Sequence, residues 1–236
     1  MTGPLRLVVS CEHGGGYVPP RFTNCFQHTA AALESHRSYD AGALELARHI
    51  ARRADAPLLA ARVTRLLVDL NRSPGHRALF SEFTSGLNVQ DKRAILQQHY
   101  FPHRCRLQAA IASAVQQGRF VVHLGVHTFA PVLRGRPRRA DVGLLYDPAR
   151  PAEKAFCRRW QQELAKRMPS LIVRRNYPYL GRSDGLTTAL RRHFDPEDYL
   201  GLELEVNQSW TESPAADRRQ LVDALAESLV QECQQS

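Results

Sequence analysis

Long apolar runs are missing from this chain of 236 residues. A membrane-spanning helix needs about 18 consecutive apolar residues, and a signal peptide needs a basic segment followed by an apolar one; neither pattern is present. No stretch rich in proline, serine or glycine divides the chain, and there is no internal repeat. We therefore expect a single cytoplasmic domain over residues 1–236 that makes no contact with a membrane.

Paired cysteines are also missing. The chain has five cysteines, an odd number, and no two of them form a C-x-x-C pair. This pattern argues against a disulfide framework and against a zinc site built from thiolates. We expect all five to be reduced.

Lysine is scarce, because only Lys92, Lys154 and Lys166 contribute to the 32 basic residues and to the net charge of +9. The arginines are spread along the whole chain, with one cluster at residues 134–139. No helix-turn-helix, zinc-finger or base-stacking motif accompanies them, so we expect no nucleic-acid partner. A positive field that attracts small anionic substrates fits the same charge.

Short apolar runs alternate with amphipathic stretches, which predicts an α/β fold with a mostly parallel or mixed central sheet and helices on both faces. Helices are predicted over residues 40–54, 93–117 (with a possible break at Pro102), 152–167 and 214–231. Strands are predicted over residues 5–10, 58–61, 65–70, 120–127, 141–146, 171–174 and 200–206.

Two predicted strands deliver a histidine to their carboxyl ends, where ligands collect in open α/β sheets. His13 follows the first strand and precedes three glycines, and His127 ends the strand that begins near residue 120. Imidazoles at such an edge are natural zinc ligands. His123 shares a face with His127 but lies about 13 Å away at the rise of a strand, so we expect it to be structural.

A catalytic zinc ion usually has three protein ligands and one open position, so a third ligand is needed. Asp40 is one possibility, although it equally suits a helix N-cap. Glu12 is another, although alternation along a strand turns it away from His13. Asp69 is the third, and it also suits an outer position that orients a histidine.

Further polar groups follow other strands. Asn71 and Arg72 offer an amide and a bidentate guanidinium for a substrate carboxylate. Glu203 and Glu205 share one face of an otherwise apolar strand, which predicts either a general base for a metal-bound water or a salt bridge to an arginine. The aromatic loop over residues 175–181 is a possible wall of a substrate pocket.

Together these segments resemble the N-formylglutamate amidohydrolase family, which is related to the zinc carboxypeptidases and to the succinylglutamate desuccinylase and aspartoacylase group. The resemblance covers roughly residues 8–210. The segments that carry it are CEHGG (11–15), YDAGA (39–43), RLLVDLNR (65–72), HTFAPV (127–132), GLLYD (143–147), NYPY (176–179) and LEVN (204–207).

The resemblance implies a carboxypeptidase-like fold, one zinc ion per chain, and hydrolysis of a small acidic N-acyl amino acid such as N-formyl-L-glutamate, a reaction of histidine catabolism. By position, His13 and His127 match the metal-binding histidines, and Asp40, in a family-like segment, is our choice as the acidic ligand. Asn71 and Arg72 match the pair that grips the carboxylate, and Glu205 matches the base. Asn176 and Tyr179 are predicted to contact substrate, and Arg138 to stabilise the oxyanion.

This sequence departs from the related patterns at two positions. Gly16 stands where carboxypeptidase-like enzymes carry an acidic ligand, and Gln208 stands where many relatives have arginine. Two other functions remain open at this point. One is a zinc amidase or carboxypeptidase that acts on peptides or cell-wall fragments, and the other is a basic module that binds an anion without catalysis.

Overall fold

The computed structural model describes residues 4–235. A mixed six-stranded sheet forms its centre, with the strand order β2-β1-β3-β8-β6-β7. All neighbouring strands run parallel except β6 and β8, which are antiparallel. The strands are β1 (Leu5–Cys11), β2 (Leu58–Ala60), β3 (Phe120–Phe129), β4 (Val132–Leu133), β5 (Arg136–Pro137), β6 (Val142–Leu145), β7 (Val173–Arg175) and β8 (Tyr199–Asn207), of which β4 and β5 form a separate hairpin.

Helices cover both faces of this sheet, so the predicted α/β fold class is confirmed. They are α1 (Ala30–Leu33), α2 (Ala43–Arg53), α3 (Val89–Ile95), α4 (Phe101–Gln116), α5 (Pro151–Arg167), α6 (Leu186–Leu190) and α7 (Ala215–Gln235). One face packs against α2, α5 and α7, and the other packs against α4 and α6. Between residues 4 and 235, no helix is long and apolar enough to cross a membrane.

All ten residues of β3 are buried, because it lies in the interior of the sheet between β1 and β8. Its residues alternate between the two faces. Val122, Leu124 and Val126 join the core beneath α2, α5 and α7. The opposite face carries His123, Gly125 and His127, and it is this face that holds the polar groups described below.

The predicted strand over residues 65–70 is wrong, because this segment forms turns. The hydroxyl of Thr64 accepts from the backbone N–H of Leu66, and the carbonyl of Thr64 accepts from the N–H of Leu67. The apolar residues of the run are nevertheless buried, in a second core that includes Phe22 and Tyr100. An apolar run indicates burial, but it does not by itself separate a strand from a packed loop.

The predicted helix over residues 93–117 is two helices joined by a π-helical turn at Leu96–Tyr100. The turn lies directly before Pro102, which lacks an N–H and clashes with the carbonyl four residues earlier. The first helix starts earlier than predicted, since the side chain of Asn88 caps it by accepting from Asp91 N at 2.8 Å. The short helices α1 and α6 and the hairpin had no predicted counterpart.

A buried ion pair ties the loop over residues 176–185 to the sheet. The Nε of Arg191 lies 2.9 Å from Oε1 of Glu153, and the remaining guanidinium nitrogens donate to the carbonyls of Gly181 and Gly201. Glu153 is fully buried and also accepts from the N–H groups of Gly201 and Asp147. Every charged atom of the pair therefore has a partner.

Replacing Arg191 with leucine should destabilise the protein strongly, because Glu153 would be left buried without a counter-charge. We expect the free energy of unfolding to fall by about 3–5 kcal/mol. Urea denaturation followed by circular dichroism measures this change, and Arg192→Leu, at the exposed neighbouring position, is the matched control. Equal stability of the two variants would contradict the proposed importance of the pair.

Candidate functional site

The site lies at the carboxyl ends of β1, β3 and β8. His13 stands two residues beyond the end of β1 (Leu5–Cys11), where the chain turns. The backbone after His13 lies close to the backbone of Ala61, since a Cβ atom at Gly14 would lie 2.8 Å from the carbonyl oxygen of Ala61. Only glycine fits at position 14 without a shift of the backbone, and this close contact holds the turn that carries His13.

Three buried side chains converge at this edge. The Nδ1 atoms of His13 and His127 lie 3.3 Å and 3.0 Å from the same oxygen of Asp40, Oδ2. His13, Asp40 and His127 each offer one ligand atom, and these atoms all lie within 4.8 Å of one another. Two imidazoles and a carboxylate form a donor set suited to zinc, and this group could hold a metal ion.

The other nitrogen of each imidazole also meets a carboxylate. Nε2 of His13 lies 2.7 Å from Oδ1 of Asp69, and Nε2 of His127 lies 3.2 Å from Oε2 of Glu12. Metal-binding histidines characteristically have such an outer carboxylate, which fixes the tautomer and the orientation of the ring. The arrangement therefore fits a metal that is bound through the two Nδ1 atoms.

The carboxylates of this centre are held ionised. Burial alone would raise the pKa of Asp40, but its contacts with His13 and His127 and the charge of Arg65 outweigh burial and keep that pKa below its usual value. The pKa of Glu12 is also well below its usual value, because the contacts with His103 and His127 outweigh its complete burial. Ionised carboxylates are the form that binds cations.

Glu205 faces the same space from the neighbouring strand, where it is the register partner of His127. It is 5% exposed, and its Oε2 atom has no hydrogen-bond partner among the described residues. Burial raises the pKa of Glu205 to about 8. An unpaired carboxyl group beside a possible metal position is suited to proton transfer.

A cavity of about 260 Å³ opens onto these groups. It is lined by His13, Asp40, Arg65, Asn71, Arg72, His127, Thr128, Tyr179, Leu180, Ser183, Asp184, Glu203 and Glu205. A larger cavity of about 500 Å³ lies between α2 and α7, but the two share only Thr128, and the larger one contains none of the predicted site residues.

Asn71 and Arg72, predicted to grip a substrate carboxylate, both line the smaller cavity. Oδ1 of Asn71 accepts from the N–H of Leu186 at 2.6 Å, which leaves its amide NH₂ for other partners. Nη1 of Arg72 donates to the carbonyl of Asp184 at 2.8 Å, and its buried Nε faces Oδ2 of Asp69 at 3.8 Å. Nη2 makes no hydrogen bond within the described chain, so this nitrogen is left for a ligand.

The structure places two of the predicted site residues behind the cavity wall. Arg138 lies over the ring of Tyr179, 5.1 Å from its centroid, and donates to its hydroxyl at 3.2 Å. Oδ1 of Asn176 accepts from the backbone N–H groups of Tyr146 and Gly181. Of the three residues only Tyr179 lines the cavity; the other two hold the wall in place.

His103 and Arg65 were not singled out from the sequence. His103 lies on α4 with Nε2 3.3 Å from Oε1 of Glu12, in line with the buried residues Leu107 and Ile111. In the sequence, the indication that His103 is buried was its place in the apolar stripe of a predicted helix. Arg65 contacts both Asp40 and Asp69, and its spacing of four residues from Asp69 gave little indication of that role.

His123 lies apart from the group that could hold a metal ion, as expected. Its two ring nitrogens are each 2.8 Å from a hydroxyl, those of Ser10 and Tyr199. Burial lowers the pKa of His123 to about 4, so the ring is neutral near pH 7. Its hydrogen bonds join three strands, which is a structural role.

Comparison with known proteins gives a consistent result. The model of the N-formylglutamate amidohydrolase family matches residues 5–211. A gene product of Agrobacterium tumefaciens of known crystal structure is 28% identical, with a TM-score of 0.82 over 97% of this chain and 90% of that one. No curated protein sequence is similar enough to count as a match.

Two further solved structures match at lower identity, and the first of them shares the fold. N-formylglutamate amidohydrolase from Ralstonia eutropha is 20% identical, with a TM-score of 0.74 over 99% of this chain and 94% of that one. A metallo-carboxypeptidase from Burkholderia cenocepacia is 10% identical, with a TM-score of 0.40 over 98% of this chain and 56% of that one. Since the family model spans nearly the whole chain, this protein belongs to the N-formylglutamate amidohydrolase family.

Proposed function

We propose that this amidohydrolase is zinc-dependent and removes the acyl group from a small N-acyl amino acid, with N-formyl-L-glutamate as the reference substrate of its family. The observation that supports this most directly is the group of His13, Asp40 and His127, whose ligand atoms lie within 4.8 Å of one another beside the unpaired Glu205. These three residues would hold the ion. Zinc in such a site supplies a Lewis acid that polarises the scissile carbonyl and acidifies water.

In the proposed reaction, the ionised form of Glu205 takes one proton from the attacking water. The water oxygen forms a bond to the acyl carbon, the bond between that carbon and nitrogen breaks, and the proton passes from Glu205 to the leaving amine. The products are a carboxylic acid, formate in the reference reaction, and a free amino acid. A buried carboxyl group with no other partner can carry the proton in both directions.

Arg72 and Asn71 would bind the α-carboxylate of the substrate, since both line the cavity and both have free donors. Arg65 lines the cavity beside Asp40 and places a second positive charge near the reacting centre. Arg138 would act through Tyr179, which it contacts, and Asn176 through the loop that it holds. The sequence-based assignment of Arg138 to the oxyanion is thus replaced by a supporting role in our proposal.

The size of the cavity supports a small substrate. At about 260 Å³ it is slightly smaller than the usual range of ligand pockets, about 300–1,000 Å³. An N-formyl amino acid fits this volume better than a peptide or a cell-wall fragment. Four carboxyl groups in the lining also argue against a general anion-binding module.

The proposal predicts metal-dependent release of amino acid. Protein purified without chelator should hydrolyse N-formyl amino acids, lose activity after dialysis against a chelator, and regain it on addition of one equivalent of Zn²⁺. Free amino acid is measured by chromatography, and bound metal is measured by mass spectrometry in the same samples. Full activity in metal-free protein would refute the metal-dependent mechanism.

A further inference from the structure

Carboxyl groups outnumber guanidinium groups in the lining of the candidate active-site cavity. Four carboxyl groups line it, together with only two guanidinium groups and the two histidines assigned to the metal. The carboxyl groups are those of Asp40, Asp184, Glu203 and Glu205. This balance is unexpected beside the net charge of +9 of the chain.

Neither guanidinium group offers a place for a second substrate carboxylate. Arg65 is already shared between two carboxylates, with Nη1 3.4 Å from Asp40 and Nη2 2.9 Å from Asp69. Arg72 donates through Nη1 to the carbonyl of Asp184, its Nε faces Asp69, and only Nη2 is left for a ligand among the described contacts. Apart from the proposed metal ion, the cavity therefore has one guanidinium group to offer to a carboxylate, and the α-carboxylate takes that position in the proposed function.

Two carboxyl groups of the lining, those of Glu203 and Asp184, each have an oxygen left for a ligand. Oε1 of Glu203 accepts from the hydroxyl of Thr187 at 2.8 Å, while Oε2 accepts no hydrogen bond from residues 4–235. Gly125, the register partner of Glu203 on β3, has no side chain to cover that carboxylate. Oδ2 of Asp184 accepts from the N–H of Ser73, and its other oxygen makes no such bond.

We propose that this cavity prefers N-acyl amino acids with a basic or amide side chain and disfavours the second carboxylate of N-acylglutamate, with Glu203 and Asp184 as the specificity-determining residues. The inference rests on the proposed function, because it concerns the substrate of the same site. A substrate with a basic or amide side chain thus takes the place of the acidic substrate that the family resemblance implies.

The physical reason is charge and hydrogen-bond complementarity. A side-chain ammonium, guanidinium or amide can donate to the free oxygens of Glu203 and Asp184. A γ-carboxylate in the same position faces two like charges in a partly desolvated space, which opposes binding. N-formyl-L-glutamine and N-formyl-L-glutamate have nearly the same shape, so their comparison isolates the effect of the charge.

The test measures kcat/KM for the N-formyl derivatives of L-glutamate, L-glutamine and L-lysine with the zinc-loaded protein. We expect the glutamine substrate to exceed the glutamate substrate by at least about tenfold, with the lysine substrate highest. Glu203→Gln should reduce this ratio toward one, and Asp184→Asn should act in the same direction. Glu212→Gln removes an equal charge from the exposed surface and should leave the ratio unchanged.

Equal or faster turnover of N-formyl-L-glutamate by the unmodified protein would overturn the inference, as would an unchanged ratio in both cavity variants. Calorimetric binding of free L-glutamate, L-glutamine and L-lysine tests the same preference without turnover. If no N-formyl substrate is hydrolysed but L-lysine and L-glutamine bind more tightly than L-glutamate, the proposed reaction fails and the inferred preference stands. If L-glutamate binds most tightly, the preference fails whatever the reaction.

Discussion

Glu205→Gln should reduce kcat by about 10²- to 10⁴-fold while the protein keeps its metal, because glutamine preserves the shape of the side chain but cannot accept and return a proton. The substitution also removes a carboxyl group that is buried without a partner for Oε2. We therefore expect the melting temperature to stay the same or to rise. Steady-state kinetics, metal analysis and thermal denaturation measure the three effects.

The appropriate comparison is Glu197→Gln, which makes the same chemical change at an exposed position remote from the cavity. It should retain the activity of the unmodified protein. If Glu205→Gln also retained near-normal kcat with a full complement of metal, Glu205 would have no part in proton transfer. A loss of metal together with activity would instead place Glu205 among the ligands.

The losses of metal affinity in Asp40→Asn and Asp69→Asn should show which carboxylate is the metal ligand and which is its outer partner. Both carboxylates are buried, both contact His13 and both contact Arg65, but only Asp40 also contacts His127. Asp69→Asn should weaken metal binding by about 10- to 100-fold, the usual effect of losing an outer partner. Asp40→Asn should cause a larger loss and abolish turnover at equimolar zinc.

Metal affinity is obtained by competition with a chromophoric chelator, and circular dichroism verifies that each variant is folded. The shared contact with Arg65 makes the two variants matched, because each leaves this guanidinium with one carboxylate partner. Equal losses in the two variants would contradict the assignment of Asp40 as the sole acidic ligand. A larger loss in Asp69→Asn would reverse the two roles.

The middle of the central sheet was accessible from the sequence because β1, β3 and β8 are mostly apolar and buried. β1, β3 and β8 appear within two residues of their predicted ends. The segment over residues 65–70 has the same composition, yet it packs as turns in a separate core. Hydrophobicity predicts that a residue is buried, whereas the type of element also depends on neighbours that are distant in the chain.

The candidate site also divides into residues that local sequence indicates and residues that depend on distant parts of the chain. His13 and His127 could be singled out as candidates because each lies at the carboxyl end of a predicted strand. The choice among Glu12, Asp40 and Asp69 needed the register of neighbouring strands and the path of the loop after β1. Glu12 was expected to point away from His13, and it contacts His127 on the next strand instead, which alternation within one strand could not reveal.

The pairing of His127 with Glu205 places two proposed catalytic groups on adjacent interior strands. Their spacing is set by the backbone ladder of the sheet, which is the part of such a fold whose amide hydrogens exchange most slowly with solvent. Arg72, Tyr179 and Asp184, by contrast, lie on connecting loops, which tolerate change more readily. Substitutions in these loops can therefore alter substrate choice over evolutionary time while the reacting groups keep their positions.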